Sequence, residues 1–175
     1  MKNIILIGFM GTGKSRISKL LAEKYKLKII DTDHRIEEKA NRKIKDIFKE
    51  DGEAAFRAME TSLIKDELVN LKDTVISCGG GMPLLDCNRE LLKEAGIVFL
   101  LSASPEEIYL RVKNDDSRPL LAVDNPQKRI VELLEKRNPL YTKAADYIID
   151  TDKKEPEEIA DEIYEIMKRG DSSDD

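Results

Sequence analysis

Residues 8 to 15 read GFMGTGKS, which fits the spacing G-x4-G-K-[ST] with Gly8, Gly13, Lys14 and Ser15 at its fixed positions. The segment follows the apolar run Asn3 to Ile7 and opens a helical pattern, the strand, loop and helix setting in which such a loop surrounds phosphate. Gly11, Thr12 and Gly13 supply backbone N–H groups at the positive end of the following helix. Lys14 is placed to neutralise β and γ oxygens, and the Ser15 hydroxyl to ligate magnesium. The expected phosphate donor is ATP with Mg2+. A phosphate loop alone names no reaction, because switches, motor ATPases and small-molecule kinases all use one.

The acceptor has to be sought in the remaining residues. IIDTDHR places Asp31 and Asp33 two residues apart, on one side if the strand persists. Near a phosphate loop one carboxylate can hold magnesium through water while the other accepts a hydrogen bond from a substrate hydroxyl or takes its proton. Asp33 as a helix cap is the plainer alternative. In IFKEDGEAAFRAME, Arg57 and Glu60 are three apart on one helical face, either a surface ion pair or a fixed guanidinium beside an apolar wall of Phe48 and Phe56. A planar guanidinium suits a carboxylate, since its fork binds both oxygens. The run Gly79 to Gly81 ends an apolar segment, and its missing Cβ atoms leave room for a ligand close to the backbone.

The elements that must position these groups are legible as short β-branched runs at Asn3 to Ile7, Lys28 to Ile30, Thr74 to Ser77, Ile97 to Leu101 and Tyr147 to Ile149. They are apolar nearly throughout and alternate with helical patterns, which predicts a doubly wound α/β fold with a five-stranded parallel sheet covered on both faces. SPEE at Ser104 to Glu107 carries a serine cap, a proline at the first helical position and a glutamate in the capping-box position, predicting a helix to about Lys113. A last helix begins near Pro156 with an apolar stripe of Ile159, Ala160, Ile163, Ile166 and Met167. The stretch NDDSRPLLAVDNP, Asn114 to Pro126, is longer than an ordinary connection and has the length of a lid.

The 175 residues fit one domain, expected over 1–169 with a substrate-binding region at about 33–61, a lid at about 113–125 and a flexible acidic tail at 170–175. A net charge of −5 gives no general attraction for nucleic acid or anionic lipid, so any anion site must be local. No apolar run approaches the roughly 20 residues of a membrane span. Cys78 and Cys87 lack metal spacing and are too few for a disulfide framework, which points to a reducing cytoplasmic setting. His34 reads as a surface helix residue.

Taken in order and spacing, GFMGTGKS, DTD, IFKEDGEAAFR with Glu60, GGG, RPLL at Arg118 to Leu121 and RNPLY ending at Tyr141 resemble the shikimate kinase family over about residues 2 to 156. The resemblance implies a nucleoside-monophosphate-kinase-like P-loop α/β/α fold, a monomer, and transfer of the ATP γ-phosphate to the 3-hydroxyl of shikimate. It implies that Asp33 binds ring hydroxyls, that Arg57 and Arg137 clamp the carboxylate with Glu60 orienting Arg57, and that Gly79, Gly80 and Gly81 offer backbone contacts. Lys14 and the lid residue Arg118 would stabilise the transferring phosphate, Ser15 and Asp31 would hold magnesium, and Arg111 and Pro156 would flank the adenine.

Three positions depart from that pattern. Arg16 stands where threonine is usual, Ser18 where glycine is common, and Asn41 in place of a frequent glycine; asparagine tolerates the left-handed turn. Arg16 either points outward or adds charge beside the nucleotide. A kinase for another small polyol or acid such as gluconate, and a nucleotide-dependent switch without phosphate transfer, are the competing readings.

Overall fold

The structure is a computed structural model that describes residues 1–114 and 121–171. Five parallel strands, β1 (Asn3–Ile7), β2 (Lys28–Asp31), β3 (Thr74–Ser77), β4 (Gly96–Ser102) and β5 (Tyr147–Asp150), form one sheet in the order β2-β3-β1-β4-β5. All five expected strands are present, and the three-layer fold is the expected one. The connecting helices are α1 (Lys14–Tyr25), α2 (Thr32–Ala40), α3 (Ile44–Asp51), α4 (Glu53–Asp66), α5 (Asp86–Ala95), α6 (Pro105–Val112), α7 (Pro126–Ala144) and α8 (Pro156–Asp171).

Strand alternation explains why β1 can be apolar at every position. Ile4 and Leu6 face a core layer with α1 and α8 residues such as Ile17, Leu21, Ile159, Ile163 and Met167, while Ile5 and Ile7 face a second layer with Phe56, Leu63, Leu92 and Leu133. None of the four is exposed, as expected of a central parallel strand covered on both faces. The outer strands are less well covered: Ile29 on β2 and Tyr147 and Ile148 on β5 remain exposed, because each edge strand lacks a neighbour on one side.

Local signals set the ends of the elements. Ser104 Oγ accepts from the Glu107 N–H and Pro105 is the first residue of α6, as expected, but the Ser104 N–H donates to Asp152, so Glu107 does not close a capping box and its carboxylate accepts from Arg111 instead. Asn41 ends α2 at φ 50°, where a left-handed residue returns the chain toward α3. α8 continues through Gly170 to Asp171, two residues into the stretch expected to be tail. Among the described residues no helix is long and apolar enough to cross a membrane.

Because every strand runs the same way, the loops after β1, β2 and β3 open at one edge of the sheet, where α/β proteins bind ligands. Residues 115–120 of the expected lid, including Arg118, lie outside the described residues.

Candidate active site

A cleft of about 680 Å³ lies at that edge. The loop after β1 forms one wall. Gly13 is the N-cap of α1 at φ 94°, a left-handed conformation that glycine adopts without a Cβ clash. No side chain caps this helix and its first turn carries no acid, so its leading N–H groups and positive dipole end are left for an anion. Lys14 Nζ donates to the carbonyls of Gly8 (2.8 Å) and Phe9 (3.0 Å), which folds the ammonium back along its own loop. Gly11, Gly13, Lys14, Ser15 and Arg16 all line the cleft, and Arg16 is exposed there, which resolves its orientation toward the cleft mouth.

Thr12 does not reach the wall. It is buried, and its hydroxyl donates to Phe9 O at 2.8 Å, so its side chain braces the loop from behind. Ser18, also buried, donates back to Ser15 O at 3.1 Å within α1. Pro156 opens α8 and is not part of the cleft wall. Arg111 is no free helix residue: it donates to Glu107 Oε1 and Thr151 Oγ1 (3.1 Å each), to Thr151 O (3.1 Å) and to Gly11 O (3.3 Å). Its guanidinium therefore ties α6 to the phosphate loop and to the end of β5.

Asp31 and Asp33 come together differently from the expectation. β2 ends at Asp31, and Asp31 Oδ1 accepts from the His34 N–H at 3.1 Å, making Asp31 the N-cap of α2. Asp33 is thus in the first turn of the helix and is not the cap. Both still line the cleft. Burial, with the charge of Asp31, pushes the Asp33 carboxyl above its ordinary value, opposed by Lys14 and Arg57. His34 is exposed and pairs with Glu38, as expected of a surface residue.

The Arg57 and Glu60 pair is not a surface pair. Arg57 Nη1 donates to Glu60 Oε2 at 2.7 Å, Glu60 is fully buried, and a second guanidinium nitrogen reaches Glu53 at 3.2 Å. Phe48 and Phe56 lie 4.9 Å apart beside it, with the Arg57 guanidinium 5.5 Å from the Phe56 ring, so the apolar wall exists. Burial pushes the Glu60 carboxyl up to about 7, against the pull of Arg57.

That value has a testable sign. A carboxyl whose folded pKa lies above its unfolded one binds more protons when folded, so stability falls as pH rises from about 4.5 to about 7. At roughly 1.4 kcal/mol per pH unit the loss is at most ~3 kcal/mol. Thermal melts of wild type and Glu60→Gln are expected to diverge across this window, with the variant gaining relative stability as pH rises. Parallel curves from pH 5 to 8 would show that Glu60 does not titrate there.

The glycine run has a role that the sequence reading assigned to a ligand. A Cβ on Gly79 would collide with the Asp33 carboxylate, and one on Gly81 with the Arg57 guanidinium. The missing side chains therefore make sockets for two functional groups of the protein itself. Gly79 N–H is already used, donating to the buried Thr32 Oγ1 at 2.9 Å. Gly81→Ala is expected to displace Arg57 and raise the acceptor KM about tenfold, on the general cost of a misplaced clamp, with ATP affinity unchanged. Kinetics with each substrate varied in turn would check this, and an unaltered acceptor KM would show that the guanidinium does not depend on the socket.

Arg137 enters from α7, half-buried, with its guanidinium 5.7 Å from the Phe9 ring. Tyr141, one helical turn on and fully buried, donates to Gly80 O at 2.6 Å and so fixes the middle of the glycine run. Its role was missed in the sequence, although its spacing of four from Arg137 on one helix is the signal that could have found it. Met10, Ile44, Ser77 and Cys78 also line the cleft unforeseen. The Cys78 thiol is held up by burial and has no reactive character.

Magnesium fits the donors present. Ser15 is exposed on the wall, and Asp31 spends one oxygen on its cap and keeps the other. Among the described residues no cluster of three or more His, Cys, Asp or Glu forms a metal cage, which suits an ion that takes most of its ligands from phosphate and water.

The family model for shikimate kinase matches residues 10–168. A shikimate kinase of Thermodesulfovibrio yellowstonii is 47% identical over 173 residues, covering 97% of this chain and 99% of the relative. One from Caldanaerobacter subterraneus subsp. tengcongensis is 44% identical over 163 residues, covering 93% and 94%. The solved structure of the Acinetobacter baumannii shikimate kinase in complex with shikimate superposes with a TM-score of 0.88 at 38% identity, covering 97% of this chain and 94% of that one. With the phosphate loop, the Arg57–Glu60 pair and the parallel sheet in place, the chain belongs to the shikimate kinase family.

Proposed function

We propose that this enzyme transfers the γ-phosphoryl group of ATP to the 3-hydroxyl of shikimate, giving shikimate 3-phosphate. The observation that carries the reading is that one cleft joins a phosphate loop to a guanidinium, Arg57, fixed by a buried carboxylate. Phosphoryl transfer needs positioning and charge more than covalent chemistry, and the cleft supplies both.

In this reading Arg57 and Arg137 hold the acceptor carboxylate, with the N–H groups of Gly80 and Gly81 as further donors. Asp33 accepts a hydrogen bond from the reacting hydroxyl and takes its proton; its raised pKa makes it a better base than an exposed aspartate. The Lys14 ammonium leaves its loop carbonyls for the phosphate oxygens, where Arg118 of the lid adds a second cation. Gly11, Gly13 and Ser15 cradle the phosphates, Arg111 on the cleft wall flanks the adenine, and Arg16 adds charge at the nucleotide mouth. Ser15, with Asp31 through water, would hold a magnesium ion, which would neutralise phosphate charge. We take the active species to be a monomer in the cytoplasm, where Cys78 and Cys87 stay free thiols.

The test is ADP release from purified protein with ATP and magnesium, with shikimate, gluconate or no acceptor added in parallel. Turnover with shikimate alone, and a phosphorus NMR signal coupled to the C3 proton of the product, are expected. Turnover with gluconate instead, or ATP binding without acceptor-dependent turnover, would overturn the reading.

A further inference from the structure

The acceptor half of the cleft is made from two separate pieces, the α4 segment carrying Arg57 and Glu60 and the turn Gly79 to Gly81. One buried side chain outside the cleft is bonded to α4 and to Met82, the residue that follows the turn. Asn88, in the first turn of α5, is fully buried, and its Nδ2 donates to Met82 O at 2.9 Å. Its Oδ1 accepts from Thr61 Oγ1 at 2.7 Å, and that same hydroxyl lies 3.1 Å from Arg57 O, one helical turn back. The amide orientation follows from chemistry: Met82 O can only accept, so Nδ2 must face it, and the Thr61 hydroxyl must then donate. Met82 in turn donates its N–H to Gly79 O at 3.1 Å.

The neighbouring residue completes the anchor. Arg89, also buried, donates to Pro83 O (2.8 Å) and Leu84 O (3.1 Å), so three consecutive carbonyls after the glycine run are held by Asn88 and Arg89. The turn that forms the Arg57 socket is therefore pinned to α5, and α4, which carries Arg57 one turn before Thr61, is tied to the same Asn88 through the Thr61 hydroxyl.

We propose that Asn88, acting through Thr61, is a positioning residue that sets the spacing between the Arg57 guanidinium and the Gly79 to Gly81 turn. It fixes the geometry of the acceptor carboxylate clamp without touching substrate. The assignment of that clamp to the acceptor rests on the function proposed above. An asparagine serves because one planar group offers a donor and an acceptor in opposite directions; alanine would leave the Met82 carbonyl without its side-chain donor and release the Thr61 hydroxyl to Arg57 O, untying α4 from the turn.

The experiment compares wild type with Asn88→Ala, Thr61→Val and Thr61→Ser. Asn88→Ala and Thr61→Val are expected to raise the shikimate KM about tenfold, since small misplacements of a clamp are costly, and to leave the ATP KM within about twofold. Thr61→Ser keeps the hydroxyl and should retain the wild-type KM, and the double variant Thr61→Val/Asn88→Ala should be no worse than Asn88→Ala. Equal rises in both KM values, or lower melting temperatures with an unchanged shikimate KM, would reduce the residue to a structural role and overturn the proposal. If Asn88→Ala does not fold, Thr61→Val against Thr61→Ser decides.

A wild type without turnover on shikimate would defeat the proposed function and leave the brace to a second readout. The Arg57 Nε–Hε NMR signal, assigned by its loss in Arg57→Lys, should shift in Thr61→Val and stay in Thr61→Ser. A signal unmoved in both would overturn the brace.

Discussion

Replacing Lys14 by alanine is expected to lower kcat by about 10²–10³-fold, the usual cost of removing one preorganised group that stabilises transition-state charge. The shikimate KM should change little, because the arginines proposed to clamp the acceptor, Arg57 and Arg137, lie on α4 and α7. Lys14 is placed by geometry as well as by motif: two carbonyls of its own loop, Gly8 O and Phe9 O, hold the ammonium against the cleft wall. It therefore needs no large search to meet phosphate. Those bonds also brace the loop, so Lys14→Arg is the necessary companion. Arginine keeps the charge but spreads it over a plane, and it should recover loop stability more than turnover. The measurements are kcat, both KM values and the melting temperature for each variant. A kcat within a few fold of wild type in Lys14→Ala would refute the role, and a collapse of melting temperature in Lys14→Ala alone would reassign Lys14 to holding the loop.

Why could Lys14 be read from sequence while Asn88 could not? The phosphate loop is local: eight contiguous residues, a strand before and a helix after, each with its own signal, so motif and fold confirm one another. The five strands were legible for the same reason, as their apolar runs needed no knowledge of partners. Only the edges deviated, where Ile29, Tyr147 and Ile148 remain exposed because sheet order is not written in any single run. Asp31 and Asp33 both reach the cleft, but by another geometry: their spacing suggests one face of a strand, whereas the chain turns into α2 at Thr32 with Asp31 as its cap.

The acceptor site was legible as residue types and not as an arrangement. Arg57 and Glu60 at a spacing of three are indistinguishable from a solvated ion pair until burial is known, and burial here depends on Phe56, the glycine turn and α5 folding around them. The glycine run shows the same limit. Sequence showed that something must approach Gly79 and Gly81 closely, but not that the visitors are Asp33 and Arg57. Tyr141 and Asn88 act on partners far along the chain, Gly80 O at 61 residues and Thr61 Oγ1 at 27, and although Tyr141 stands one turn from Arg137, no local pattern names either partner.

Removing the Arg57 guanidinium is expected to act on the acceptor alone. Arg57→Ala should raise the shikimate KM about 10²-fold, the equivalent of ~3 kcal/mol for a charge-assisted hydrogen-bonded contact, while ATP affinity stays within about twofold. The variant also strands Glu60, whose Oε2 loses its partner and whose Oε1 already has none in its buried position. With the opposing cation gone, burial should push the Glu60 carboxyl further up, so that it becomes protonated at neutral pH. The double variant Arg57→Ala/Glu60→Gln should then melt at the same temperature as Arg57→Ala or higher and show the same raised shikimate KM, because Glu60 serves the acceptor only through the guanidinium it orients. A double variant with a markedly higher KM than Arg57→Ala would mean that Glu60 contacts the acceptor directly. Equal loss of ATP and shikimate affinity in Arg57→Ala would place the guanidinium in the architecture of the whole cleft and remove it from the clamp.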